Sequence, residues 1–235
     1  MKLLVISPFY PPLHSGGYEL RCKDIVTGLV NRSYQIKIIS SRPPQNNHKK
    51  YPNEEEVFRV LHLKSRSHSI VSQVFNDIID IKYIRRMMRS FEPDLVYLSQ
   101  IGDLSNAIIP YLSTVKLPFV YDEGGYGLVR ALQILERGPY FYKNEGDTWI
   151  KKMGKRVITA IIGRFSCNLI HTNAAWPTNM HMLFNSQITM QYAKANGVPI
   201  EKYRIIHSGI DLQKFTFNKR EGCTTPIKII LPGRI

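Results

Sequence analysis

The chain has 235 residues, of which 43% are hydrophobic, so it can bury the core of one large domain or of one and a half. No segment approaches the roughly 18 uninterrupted apolar residues of a membrane span, and no charged region with a cleavage site precedes the first apolar run. The 32 Lys and Arg residues outnumber the 18 Asp and Glu residues, and the net charge of +14 favours polyanionic partners such as nucleic acid, acidic lipid or phosphorylated substrates.

The cysteines and histidines are dispersed along the chain. There are three cysteines and seven histidines, and neither set has the spacing of a disulfide framework or of a metal site. The sequence therefore predicts a cytosolic, reduced protein that is free of structural metal.

The first forty residues have the pattern of a βαβ unit. Lys2–Ser7 is a continuous apolar run, typical of a strand that is buried on both faces, and a second strand is predicted at Gln35–Ser40. Between them, a proline-rich loop ends at Gly16 and Gly17, and Tyr18–Val30 has apolar residues at helical spacing. The free backbone N–H groups at a helix N-terminus favour an anion, and glycine lets a ligand approach closely. We therefore predict that this glycine pair binds ligand phosphates, the alternative being a plain strand-to-helix turn.

Strand and helix patterns alternate along the rest of the chain. Further strands are predicted at 57–63, 94–99, 118–121, 167–172 and 203–206. Helices are predicted at 70–91, 107–112 and 188–195. The polar, proline-rich residues 42–56 are typical of an exposed loop. The alternation predicts an α/β fold with a doubly wound parallel sheet, as in Rossmann-like domains.

The last apolar run of the sequence, at 226–231, is typical of a buried strand. No helix pattern follows it before Ile235, and a central strand without a following helix is expected to open a new domain. We therefore predict two domains. Residues 1–218 form the first, and residues 226–235 contain the first strand of the second.

Two carboxylates, Asp122 and Glu123, follow the predicted strand at 118–121. Open α/β sheets bind ligands at the carboxyl ends of their strands, so both are candidate catalytic residues. One of them is expected to orient or deprotonate a substrate hydroxyl. The alternative is that both are ordinary solvated acids of a polar loop.

Two basic segments, at 82–89 and 149–158, have interleaved aromatic and apolar residues. They are expected to lie on an anionic membrane surface, where each cation contributes about 1 kcal/mol, or else to form solvated helix faces. No recognised nucleic-acid-binding module accompanies the charge, so nucleic acid is not predicted as a partner. The cations of the two segments are Lys82, Arg85, Arg86, Arg89, Lys151, Lys152, Lys155 and Arg156.

Three segments together resemble the N-terminal domain of glycosyltransferase family 4, the retaining sugar-nucleotide enzymes with the two-domain GT-B fold. Residues 11–19 (PPLHSGGYE) are similar to the family's loop of paired prolines, paired glycines and a glutamate. Residues 205–215 (IIHSGIDLQKF) resemble its crossing between the domains, with His207 and Ser208 in place of the usual Pro-Asn. Residues 229–235 (IILPGRI) are similar to the Gly-Arg-Leu strand end that opens its second domain.

The resemblance implies a retaining hexosyltransferase that moves a sugar from a UDP- or GDP-linked donor to a hydroxyl of a lipid-linked or polysaccharide acceptor. It implies no obligatory metal or other cofactor. It also implies that Gly16–Gly17 and Arg234 bind the donor diphosphate, and that Ser208, Gly209 and Asp211 shape the cleft between the domains. This chain alone is expected to be inactive, because half of the donor site is missing. The composition predicts a cytoplasmic location, and the two basic segments predict a peripheral position at the inner membrane face.

Two other classes of protein are alternatives. A non-catalytic Rossmann-like module that binds a nucleotide, a glycan or an anionic lipid fits the same patterns. A dinucleotide-dependent oxidoreductase is disfavoured, because the first loop lacks the spacing G-x-G-x-x-G and no acidic residue ends the second strand at Ser40–Ser41.

Overall fold

The fold is given by a computed structural model, which describes residues 1–13, 16–43, 56–66, 69–137 and 175–209, together with residues 153, 157 and 212. The predicted strands at 167–172 and 226–231 and most of the predicted loop at 42–56 lie outside the described residues. The predicted domain boundary after residue 218 also lies outside them.

The described strands form a single parallel sheet. They are β1 (Lys2–Ser7), β2 (Gln35–Ser41), β3 (Val57–Leu61), β4 (Leu95–Ser99), β5 (Phe119–Glu123), β6 (Met180–Phe184) and β7 (Tyr203–Ile205). Their order across the sheet is β3-β2-β1-β4-β5-β6-β7, and each neighbouring pair is parallel. The doubly wound parallel sheet predicted from the sequence is therefore confirmed.

Four of the five described helices agree with the predicted helices to within a residue or two, and the helix at Gly127–Arg137 was not predicted. The five helices are α1 (Gly17–Val30), α2 (Ile70–Phe91), α3 (Ile108–Ser113), α4 (Gly127–Arg137) and α5 (Gln187–Ala195). The longest of them, α2, begins after Ser69, whose side chain accepts a hydrogen bond from the Ser72 N–H at 3.1 Å. It ends at Glu92, which has a positive φ of 50°, and Pro93 then prevents its continuation. Among the described residues, no helix combines the length and the apolar character needed to cross a bilayer.

The core has two layers, one on each face of the sheet. Successive side chains of a strand point to opposite faces, and β1 is buried on both. Leu3 and Val5 pack with Cys22 of α1 on one face. Leu4 and Ile6 belong to a larger cluster on the other face, which includes side chains of α2, α3 and α4. The continuous apolar character of Lys2–Ser7 thus reflects burial on both sides.

The strand β6 was not predicted. Met180, Met182 and Phe184 are buried between neighbouring strands, whereas His181 is exposed. Methionine is a strong helix former and has no marked strand preference, so the local composition does not indicate a strand here. The pairing of β6 with β5 and β7 produces the strand.

The strand β5 extends two residues beyond the predicted strand, so the expectation of a polar loop at Asp122 and Glu123 is wrong. Asp122 pairs with Ser99 of β4 and Leu183 of β6, and Glu123 pairs with Phe184. Both acids are buried, because they lie inside the sheet and have polar partners there. The loop begins only at the glycine that follows them.

The sheet has a topological switch point between β1 and β4. From β1 the chain adds β2 and β3 on one side, and it then returns to add β4, β5, β6 and β7 on the other. The carboxyl ends of β1 and β4, at Ser7 and Ser99, therefore diverge into a crevice. In open α/β sheets this crevice is the usual place for a ligand.

Two acids of α2, Asp77 and Asp80, are buried against the fold, at 2% and 1% exposure. The His62 N–H donates to Asp80 Oδ2 at 3.1 Å, and His62 Nδ1 lies 2.8 Å from Oδ1. Burial raises the pKa of Asp80 to about 7, although the hydrogen bond from the His62 backbone and the charge of Arg42 oppose the shift.

We expect an Asp80→Asn variant to gain stability relative to the wild type as the pH rises from about 4 to about 7. The pKa of Asp80 is higher in the folded state than its ordinary value of 3.8, so the folded state holds the proton more tightly and its loss destabilises the fold. Urea unfolding at pH values on both sides of this window measures the difference. A pH-independent difference between Asp80→Asn and the wild type would contradict the assignment.

Candidate functional site

A cleft of about 240 Å³ opens at the switch point. The residues that line it come from the carboxyl ends of β1 and β4, from the turns after these strands and from the start of α1. They are Ser7, Pro8, Gly16, Tyr18, Glu19, Ser99, Gln100 and Asp103. The cleft thus lies where the sequence analysis placed a ligand site, beside the glycine pair.

One N–H group of the glycine pair at the start of α1 already has a hydrogen-bond acceptor within the protein. The Gly16 N–H donates to Glu19 Oε2 at 2.9 Å, as in a capping box. The Gly16 backbone is extended, with φ at −168°, so no special conformation requires glycine there. Gly17 is exposed, and a Cβ on it would meet nothing within 4 Å. Phosphate binding by Gly16 and Gly17 stays a prediction, and it would require Glu19 to release the Gly16 amide.

Asp122 lies next to the cleft, whose own lining contains the acids Glu19 and Asp103. Asp122 is 6% exposed at the carboxyl end of β5, next to Ser99 in the sheet register. The Tyr97 hydroxyl donates to its Oδ2 at 2.5 Å. Its Oδ1 lies 3.2 Å from an Arg21 nitrogen, an ion pair that lacks the alignment of a hydrogen bond. Oδ1 is therefore a buried oxygen without a hydrogen-bond partner, held by the charge of Arg21 alone.

Burial sets the protonation behaviour around Asp122. Burial raises the pKa of Asp122, and the Tyr97 hydrogen bond and the Arg21 charge oppose that shift. Burial also raises the pKa of Cys22 to about 11, so this thiol is held neutral beneath the cleft. A carboxyl group whose pKa is raised toward neutrality is better suited to accept a proton from a hydroxyl than a fully solvated one.

Arg21 joins the end of β5 to the segment that follows β7. Its guanidinium lies 3.4 Å from the Ser208 hydroxyl and 3.5 Å from the Ile206 carbonyl oxygen, and it also pairs with Asp122. Of the predicted cleft residues, Ser208 and the exposed Gly209 thus lie at the carboxyl edge of the sheet. The segment predicted to cross between domains therefore contacts the candidate site through one arginine.

Tyr18 holds the loop after β5 against α1. Its hydroxyl donates to the Gly124 carbonyl oxygen and accepts from Asn185 Nδ2 at 3.3 Å. His207 Nδ1 lies 3.0 Å from the Asn185 carbonyl oxygen, so the same network reaches the segment after β7. A Cβ on Gly124 would clash with the Tyr18 ring, so a larger residue at this position requires the ring to shift.

We expect Gly124→Ala to lower the free energy of unfolding by about 1–3 kcal/mol, because the added methyl displaces the Tyr18 ring. In a Tyr18→Ala background the same change should cost much less, and urea unfolding of the four proteins gives the coupling. Gly102→Ala is the matched control, since a Cβ there meets nothing within 4 Å. If the effects of Gly124→Ala and Tyr18→Ala on the free energy of unfolding were additive, the close packing of the Tyr18 ring on Gly124 would be contradicted.

Glu123 faces the first turn of α4 instead of the cleft. It is 1% exposed, its Oε1 accepts the Gly125 N–H at 2.6 Å, and its Oε2 accepts the Leu128 N–H at 2.5 Å. Burial raises its pKa, and these backbone hydrogen bonds oppose the shift. A carboxylate at a helix N-terminus also interacts favourably with the helix dipole. The geometry gives Glu123 a structural role, and we retain the catalytic prediction for Asp122 alone.

The remaining predicted site residues divide into two groups. Lys82, Arg85, Arg86 and Arg89 lie on α2, away from the cleft, and all four are exposed. Arg234, Asp211 and the cations of the second basic segment (Lys151, Lys152, Lys155 and Arg156) lie outside the described residues. Within the described ranges, no group of three His, Cys, Asp or Glu side chains is arranged to hold a metal ion.

Sequence reasoning missed the residues that organise the site around Asp122. Tyr97 lies inside an apolar strand and is easily taken for a core residue, and Arg21 lies in the second turn of an amphipathic helix. A sequence signal for both residues existed: Tyr97 has a polar hydroxyl in an otherwise apolar strand, and Arg21 has a charge beside the buried face of its helix. Tyr97 and its partner Asp122 are 25 residues apart in sequence, and Arg21 and its partner Ser208 are 187 residues apart, so no local pattern specifies either contact.

No protein-family model and no curated protein sequence matches the chain. Among solved structures, the chain is similar to sucrose-phosphate synthase from Thermosynechococcus elongatus, with a TM-score of 0.52 and 10% sequence identity. The match covers 90% of this chain and 49% of that chain, so this chain spans about half the length of its structural neighbour. The chain therefore shares a Rossmann-like α/β fold with this synthase.

Proposed function

We propose that the chain supplies the acceptor-side domain of a glycosyltransferase, which moves a sugar from a nucleotide-diphosphate donor to an acceptor hydroxyl. The observation that carries the proposal is the cleft at the switch point of the sheet, with the buried carboxylate Asp122 on the adjacent strand. A hydroxyl acceptor needs a group that orients it and takes its proton, and Asp122 has the burial and position for this task.

The structural neighbour supports this class of reaction. Sucrose-phosphate synthase is a glycosyltransferase with the GT-B fold, and the match covers 49% of its length. One Rossmann-like domain of a two-domain enzyme would produce such a match. Together with the resemblance of residues 11–19 and 205–215 to the retaining enzymes of family 4, this favours transfer with retention.

The donor phosphates belong beside the start of α1 in this proposal. Departure of a nucleotide diphosphate develops negative charge, and preorganised N–H donors or guanidinium groups stabilise it. Gly16 and Gly17 supply the first of these once Glu19 is displaced, and Arg234 supplies the second. The donor is a UDP- or GDP-linked sugar that acts as co-substrate, and no metal is required.

The acceptor enters from the open side of the cleft. Arg21 covers Oδ1 of Asp122 at 3.2 Å and also contacts Ser208, so a shift of the segment after β7 would uncover the carboxylate. The resemblance to family 4 favours a glycan or a lipid-linked sugar as the acceptor, and the serine, glutamine and carboxylate groups that line the cleft suit its hydroxyls.

A turnover assay tests the proposal on the protein encoded by the whole reading frame that contains these residues. Labelled UDP- and GDP-sugars are incubated with lipid and polysaccharide extracts, and both nucleotide release and transfer of the label are measured. We expect release of one nucleotide together with transfer to one extract, with the anomeric configuration of the donor kept. Saturable nucleotide or glycan binding without turnover would overturn the proposal in favour of a non-catalytic module, and the absence of both would overturn it outright.

A further inference from the structure

One side of α2 has exposed apolar side chains near its start and exposed cations near its end, with the half-buried Ile78 between them. Val71 and Phe75 are 79% and 65% exposed, although both are apolar. The exposed cations Lys82, Arg86 and Arg89 follow at spacings of seven, four and three residues, which keeps all five side chains on one side of the helix. We call these residues, with the neighbouring exposed Arg85, the α2 stripe.

The α2 stripe contains no acidic residue. The two carboxylates of α2 are Asp77 and Asp80, and both are buried on the opposite side with Ile81 and Ile84. Within the part of the chain that the structure describes, no ion pair joins the four cations of the stripe to a carboxylate. Among the described residues no carboxylate neutralises their positive charge, and this charge attracts an anionic partner.

The cations also shape the surface around them. Lys82, Arg85, Arg86 and Arg89, with Ser90, line an open groove of about 480 Å³. A groove that is lined by cationic side chains concentrates phosphate-bearing ligands. Charge alone would suit either a nucleic acid or a lipid surface.

The apolar end of the stripe distinguishes these two partners. Phe75 and Val71 expose large apolar side chains in line with the cations, and a phosphodiester backbone offers nothing to bury them. A bilayer surface accommodates both features, because apolar side chains enter the acyl boundary while cations contact the headgroups. The stripe is about 27 Å long from residue 71 to residue 89, which suits a helix lying flat on a membrane.

We propose that the α2 stripe docks the protein on an anionic lipid bilayer. Because α2 follows β3 in a parallel sheet, its apolar first turns lie toward the carboxyl edge of the sheet, where the cleft opens. Docking through the stripe thus brings that edge of the sheet close to the lipid. The inference does not depend on the proposed function, since docking needs neither donor nor acceptor.

Vesicle co-sedimentation tests the proposal. The wild-type protein should bind vesicles of phosphatidylcholine mixed with phosphatidylglycerol, bind weakly or not at all to phosphatidylcholine alone, and dissociate as salt is added. A triple variant, Lys82→Gln, Arg86→Gln and Arg89→Gln, should bind roughly 100-fold more weakly, because each cation contributes about 1 kcal/mol. Phe75→Ser should weaken binding by roughly tenfold, through the loss of one inserted apolar side chain.

Matched controls separate the stripe from the general charge of the protein. Lys23→Gln, Lys116→Gln and Lys194→Gln remove three exposed cations elsewhere, and Ile188→Ser removes an exposed apolar side chain of α5. Both controls should keep vesicle binding within roughly threefold of the wild type. Equal losses in stripe and control variants would overturn the proposal. The proposal would also be overturned if the protein bound a DNA duplex tightly through the same cations and bound vesicles of neither composition.

Discussion

Replacing Glu123 with glutamine is expected to lower the free energy of unfolding by about 2–4 kcal/mol. The side chain is 1% exposed, and both of its oxygens accept backbone N–H groups at the start of α4. Glutamine replaces one acceptor by an amide that can only donate, so a buried N–H is left without a partner and the favourable charge at the helix N-terminus is lost.

Urea unfolding measures this effect, and Glu136→Gln provides the control. Glu136 is an exposed acid near the other end of α4, and its replacement should change stability by less than about 0.5 kcal/mol. A Glu123→Gln protein as stable as the wild type would show that the carboxylate does not hold the first turn of α4. In that case Glu123 would become a candidate for catalysis again.

Replacing Asp122 with asparagine is expected to reduce sugar transfer by roughly 10²–10⁴-fold, the contribution typical of a general acid or base. Asparagine keeps an acceptor for the Tyr97 hydroxyl but cannot take a proton, so the loss should appear in the turnover number more than in substrate affinity. The change leaves Arg21 without its carboxylate partner, and we expect a stability loss that is too small to unfold the protein.

The kinetics of two variants check this prediction. Asp24→Asn, at an exposed acid one turn along α1 from Arg21, should transfer sugar at the wild-type rate. The rate for Asp122→Asn should also lose the dependence on pH that the wild-type carboxyl group confers. Near wild-type turnover by a folded Asp122→Asn protein would contradict a catalytic role for Asp122. The cleft would then be the remaining structural support for the proposed function.

Local patterns were sufficient for most of the fold. The apolar period of α2 and the glycine and proline signals at the ends of the helices gave boundaries within two residues of those observed. β1 was recognisable because burial on both faces leaves no polar position in the run. β6 was missed because its strand character comes from pairing with two neighbours and not from its own residues.

The site was predictable in place but not in detail. The switch point and the acids at the end of β5 follow from strand order and from residue type. The different roles of Asp122 and Glu123 do not follow from strand order or residue type. They depend on which carboxylate accepts hydrogen bonds from the N–H groups of α4 and which one pairs with Arg21. Neighbouring residues of a strand point to opposite faces, so two adjacent acids enter different surroundings.

The central claim is that substrate binds in the cleft between the ends of β1 and β4. Hydrogen–deuterium exchange tests it most directly, on the full-length protein with the nucleotide sugar that the turnover assay identifies. We predict slower exchange in peptides that contain Gly16 to Glu19 and Ser99 to Asp103, where the backbone lines the cleft. Unchanged exchange in both segments under saturating nucleotide sugar would contradict the account and move the ligand site elsewhere in the molecule.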